Sequence, residues 1–103
     1  MARWWSELKE EDLTQVSGGD SSVIYNGTTY NKGDVFVNNP SAVNNNTFDI
    51  YVINNISNKE VNVFHYSYSK ESKTAYYIKP ITISFEGFFG AYCRINITID
   101  NFS

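Results

Sequence analysis

From residue 91 to residue 100 the chain alternates almost without fault. Cys93, Ile95, Ile97 and Ile99 fall on one side of an extended backbone, and Arg94, Asn96, Thr98 and Asp100 on the other. A helix would scatter these positions around its circumference, whereas a strand lines them up. Ile81, Ile83 and Phe85 against Thr82 and Ser84 repeat the pattern. Such strands predict one dry face and one wet face, the arrangement of an antiparallel sandwich or small barrel.

The chain from residue 23 onward is punctuated to match. Val23, Ile24 and Tyr25, then Asn26-Gly27, then Thr28, Thr29 and Tyr30 read as a hairpin, because Asn-Gly suits a type I′ turn. Residues 34–37 form a short strand, and residues 38–46 a polar loop containing Pro40. Residues 48–54 and 61–69 are strands joined by a loop over 55–60, and 70–73 is a charged turn. Residues 75–85 make a long strand interrupted or bulged at Pro80. Gly87 and Gly90 mark a turn over 86–90 before the last strand. The expected fold is all-β, with about six strands in about 80 residues, small but feasible without disulfides.

Composition excludes several functions. A net charge of -3 without clustered Lys and Arg argues against a nucleic-acid partner. No apolar run approaches the roughly 20 residues of a membrane-spanning helix. Residues 1–19 lack an apolar h-region and carry Glu7, Glu10, Glu11 and Asp12, so they do not read as a general secretory signal. Cys93 is the only cysteine, so neither an internal disulfide nor a cysteine zinc site is available. Its alignment with three isoleucines predicts a buried, inert thiol. His65 is the only histidine, is expected on a strand near a sheet edge, and has no triad-like partners in view. Asn26, Asn45, Asn55, Asn96 and Asn101 head glycosylation-type triplets, as thirteen asparagines produce by chance. No phosphate-binding loop and no carboxylate pair stand out. An enzyme, a cofactor and a metal are therefore not expected.

The N-terminal segment follows a different period. Over residues 4–17, Trp5, Leu8, Leu13 and Val16 recur at spacings of three, five and three, which predicts a short amphipathic helix. Ser6 is a plausible start, and Gly18 a plausible C-terminal cap. Counted back from Gly19, Val16, Leu13, Leu8 and Trp5 stand fourth, seventh, twelfth and fifteenth, with Glu10, Glu11 and Asp12 between them. This segment resembles the double-glycine leader of bacteriocin-type precursors, a resemblance confined to residues 1–19. The resemblance implies that Trp5, Leu8, Leu13 and Val16 anchor the leader in the peptidase domain of an ABC exporter. It implies cleavage after Gly18-Gly19 and secretion of an effector comprising residues 20–103. The physical logic is direct: a groove that takes one helix face needs anchors at helical spacing, and a narrow cleft needs residues without side chains.

Residues 20–103 hold six basic and seven acidic side chains. A cationic membrane peptide is therefore a poor fit, and a folded toxin or surface-acting protein a better one. Phe64, Tyr66 and Tyr68 share one strand face, and Phe88-Phe89 sit between glycines. Phe88, Phe89, Tyr66 and Tyr68 are the candidate contact surface for a target-cell surface, a membrane interface or a sugar. The alternative is aromatic packing across strands. A second reading of the whole chain is a small intracellular or phage-encoded β-domain that binds a protein partner, with the N-terminal helix packed into the fold. Trp4 beside Trp5 favours that reading, since two exposed tryptophans are unusual on a soluble leader.

Overall fold

The computed structural model describes residues 15–17 and 22–103. In chain order these form β1 (Gln15–Ser17), β2 (Ser22–Tyr25), β3 (Thr28–Asn31), β4 (Val35–Val37), a 3-10 segment (Pro40–Asn44), β5 (Thr47–Ile56), β6 (Glu60–Ser69), β7 (Thr74–Ser84), α1 (Phe85–Ala91), β8 (Cys93–Ile95) and β9 (Asn101–Phe102). β1, β2 and β3 make a small antiparallel sheet. The larger sheet runs β8-β4-β5-β6-β7-β9. It is antiparallel except where β9 joins β7 in parallel. The all-β class read from the sequence holds. Asn26 and Gly27 carry φ angles of 51° and 82°, as a type I′ turn requires.

The N-terminal helix is corrected at its end. Gln15–Ser17 is a strand, with Val16 opposite Val23 and Ser17 opposite Ser22. Pairing with the backbone donors and acceptors along the edge of β2 overrides a weak local helical preference. This pairing also straddles the expected boundary between residues 19 and 20. Trp5, Leu8, Leu13, Gly18 and Gly19 lie outside the described residues.

The expected turn at 86–90 is helix instead. Ser84 caps α1, accepting the Gly87 N–H at 3.1 Å, and Glu86 sits in the first turn. Phe85, Phe88 and Phe89 fall on one face at i, i+3 and i+4, and all three are buried. Two helical glycines cost about 1 kcal/mol each. Burying three phenylalanines returns about 1.5–3 kcal/mol apiece, so the helix wins.

The expected last strand over residues 91–100 does not form as one strand. β8 pairs with β4 at one edge of the large sheet, and β9 pairs with β7 near the other. Residues 96–100 therefore cross the sheet as a strap. Ile95, Ile97 and Ile99 pack on Val37, Phe48, Ile50, Val52, Tyr68 and Ala75. The Tyr68 hydroxyl donates to the Thr98 carbonyl at 2.6 Å, and Asp100 N–H donates to the Lys73 carbonyl at 2.8 Å. The opposite face is covered by α1 and the β2–β3 hairpin, which enclose Tyr51, Ile53, Ile56, Val61 and Val63. Arg94 clasps the hairpin to the sheet: Nη1 donates to Thr29 O and Asp34 Oδ2, and the guanidinium lies 4.8 Å from the Tyr30 ring centroid.

The two covers are offset along the strands. The helix face is covered toward the β5–β6 turn, and the strap face toward the β6–β7 turn. Each long strand must therefore exchange its dry side midway. In β5 the exchange buries Ile50, Tyr51, Val52 and Ile53 in succession. In β7 an extra residue, Ile78, separates the pairs Tyr77↔Tyr66 and Lys79↔His65. That bulge puts Ala75 and Tyr77 on the strap face but Ile81 and Ile83 on the helix face, although all four are odd-numbered. The sequence-level expectation of one dry and one wet face per strand is corrected by this exchange. The bulge itself was expected at Pro80 and falls at Ile78.

Candidate functional site

Among the described residues, the offset leaves two half-faces without a covering layer. On the helix face, toward the β6–β7 turn, stand Asp49, His65, Ser67 and Tyr76. His65 lies on β6, an interior strand rather than near a sheet edge. Its ring stacks on Tyr51 at 4.7 Å and 15°, and Nε2 lies 3.4 Å from Asp49 Oδ1. Both ring nitrogens are buried, and neither has a hydrogen-bond partner among the described residues. Ser67 makes no hydrogen bond to the imidazole, so no nucleophile, base and orienting group line up there among the described residues. No group of three or more His, Cys, Asp or Glu among the described residues could hold a metal ion.

On the strap face, beyond the strap, the surface is aromatic. Phe64 and Tyr66 project from β6, Tyr77 from β7 and Phe102 from β9. Tyr66 is the hub, with ring centroids 5.7 Å from Tyr77, 5.3 Å from Phe102 and 6.5 Å from Phe64. The interplanar angles, 67–78°, set edges against faces. Sugar stacking favours a broad coplanar face, and these rings do not present one.

The four expected contact residues separate. Tyr66 is half-buried at the centre of this surface. Tyr68 is buried beneath the strap, which its own hydroxyl helps to hold. Phe88 and Phe89 are 0% and 8% exposed, packed against Phe36 and Tyr30. Their exposure at a turn tip is therefore corrected: helix formation carries both rings inward. Cys93 is exposed rather than buried. It stands on edge strand β8 before the chain turns across the sheet, so it shares the alternation of Ile95, Ile97 and Ile99 but not their cover.

Sequence reasoning missed Phe102 and the joint exposure of Tyr76, Tyr77 and Ile78. The tyrosine cluster was visible as composition. The place of Phe102 follows from β9 pairing beside β7, which nothing local in the sequence announces.

Burial raises the pKa of Tyr51 above the ordinary tyrosine value, with Tyr92 and Asp49 adding to it. Burial also raises Tyr66, assisted by Tyr77, and Tyr68, assisted by Asp100. A phenol with a raised folded-state pKa holds its proton more tightly in the native chain. Its stabilising contribution is complete below the unfolded pKa of about 10 and is lost as pH rises past it toward the folded value. Urea melts should show a lower midpoint at about pH 11 than at about pH 9; equal midpoints would contradict this account.

No family model matches the chain, and no curated protein and no solved structure matches it.

Proposed function

We propose that the chain is the precursor of a secreted, bacteriocin-like effector, cleaved after Gly19 by a peptidase-containing ABC exporter. The observation that carries this reading is the register of Trp5, Leu8, Leu13 and Val16 with Gly18-Gly19. A leader is discarded, so the mature domain must bury its core without leader side chains. The effector is non-enzymatic and acts by contact at a target-cell surface, with no cofactor. The precursor is cytoplasmic and the mature product extracellular.

The pairing of β1 with β2 favours a second reading, a β-domain that keeps its N-terminal segment and binds a protein partner. One experiment separates the two. Incubation with the peptidase domain of the cognate exporter should release a product beginning at Asp20. Gly19→Val should abolish the cut, because a branched side chain blocks a cleft shaped for glycine. A chain lacking residues 1–19 should fold with stability within about 1 kcal/mol of the precursor. Unimpaired cleavage of Gly19→Val, or an unfolded deletion product, supports the one-domain alternative.

A further inference from the structure

The outer edge of the large sheet carries four exposed large apolar side chains: Tyr76, Tyr77, Ile78 and Phe102, exposed by 49, 49, 47 and 58%. Three are consecutive on β7, and the fourth stands on β9 alongside. Their directions matter more than their number. Tyr77 faces the strap side, in ring contact with Phe64 and Tyr66. Tyr76 is opposite Ser67 and so faces the other side. Ile78 is the bulge residue between them and the Lys79 pair. The edge therefore carries an exposed aromatic ring on each side, Tyr77 on one and Tyr76 on the other, a ridge rather than a patch.

A ligand lying on one face of the sheet would cover Tyr77 and leave Tyr76 in water. Addition of a partner strand is also disfavoured, because β7 continues through Lys79 and Pro80, both exposed; a charge and a missing N–H blunt a sheet edge. An environment that surrounds an inserted edge from both sides satisfies both tyrosines. The interface of a lipid bilayer is such an environment, and tyrosine suits it, with an apolar ring and a hydroxyl that stays hydrated. Exposed Lys70, Lys73 and Lys79 lie on this edge and its adjoining turn, with Glu71 and Asp100 nearby in the chain fold; lysines near a bilayer surface are attracted to anionic lipid.

We propose that the β7–β9 edge is a membrane-contact ridge that seats Tyr76, Tyr77, Ile78 and Phe102 at the headgroup level of a bilayer. This deepens the effector reading by naming the surface on which it acts. It does not depend on the leader, so the cleavage and membrane assays can fail separately.

The test is co-sedimentation of the full chain with phosphatidylcholine vesicles containing about one quarter phosphatidylglycerol. The chain should pellet with the vesicles. Tyr76→Ser and Phe102→Ser should each weaken partitioning by about tenfold or more, since each removes an aromatic side chain from the apolar contact. Tyr76 is in no ring pair among the described residues, so its variant should keep the parent melting temperature. Binding should persist at high salt, where lysine attraction is screened. A Trp4→Ser, Trp5→Ser double variant should bind as the parent does. The proposal is overturned if the parent stays in the supernatant, if the ridge variants bind normally, or if the tryptophan variant is the one that loses binding. Capture of a soluble protein or glycan through the ridge, with no vesicle binding, also overturns it.

Discussion

Replacing Phe88 with alanine is expected to remove about 3–5 kcal/mol of stability, the usual cost of truncating a fully buried aromatic. Phe88 sits at the centre of the helix-face core, 4.6 Å from the Phe36 ring, 5.1 Å from Phe89 and 4.8 Å from Tyr92. Three rings lose a partner at once, and the strands beneath cannot move in to fill the space. In a domain of this size 1 kcal/mol shifts Tm by about 4–8 °C, so the variant should melt more than about 10 °C below the parent. Differential scanning calorimetry decides it. A variant that melts with the parent would mean that the helix is not packed as described and would restore Phe88 as a surface residue.

Ending the chain after Ile95 should have an effect of similar size through the other face of the sheet. The truncation removes Ile97 and Ile99 from the strap-face core, the carbonyl that accepts the Tyr68 hydroxyl, and the β9 pairing with β7. Two half-buried isoleucines contribute about 1 kcal/mol each, and the part-buried hydrogen bond up to about another. The newly wetted Phe48, Ile50, Val52 and Tyr68 add to the loss. A total of at least about 3 kcal/mol is a large part of the 5–15 kcal/mol that keeps such a domain folded. The shortened chain should bind a hydrophobic dye and lose its cooperative thermal transition. A sharp transition near the parent Tm would show that the strap is ornamental.

These two positions mark where local reading stopped short. The hairpin at Asn26-Gly27 was legible because a type I′ turn needs positive φ at two successive residues, and Asn-Gly provides it locally. The long strands β5, β6 and β7 were legible from period-two patterning and the polar residues that separate them. Residues 86–90 were misread because flanking glycines resemble a turn, and only the apolar surface waiting beneath them makes a helix worth its entropy. The last strand was misread in a different way. Its alternation was real, but alternation fixes which side chains share a side and not what lies against them. Ile97 and Ile99 face a sheet, whereas Cys93, on the same side of the chain, faces solvent.

The candidate site divides in the same manner. Tyr66 could be named from the sequence as a surface aromatic, yet Tyr68, two residues on and on the same face, is covered by a strap that begins nearly thirty residues later. Trp5, Leu8, Leu13, Val16 and the double glycine form a pattern of spacing within the sequence, and the processing proposal rests on that pattern.

The strand class, the hairpin turn and the spacing behind the proposed leader could be read locally, because each depends on backbone preferences or on intervals of a few residues. Long-range packing divides the C-terminal run between the two edges of one sheet, so that its crossing covers one face while a phenylalanine helix covers the other. A single extra residue at Ile78 turns the apolar side of β7 over. Those outcomes depend on contacts between segments distant in the chain, where the free energy of burial outweighs local preference and no short window of sequence contains both partners.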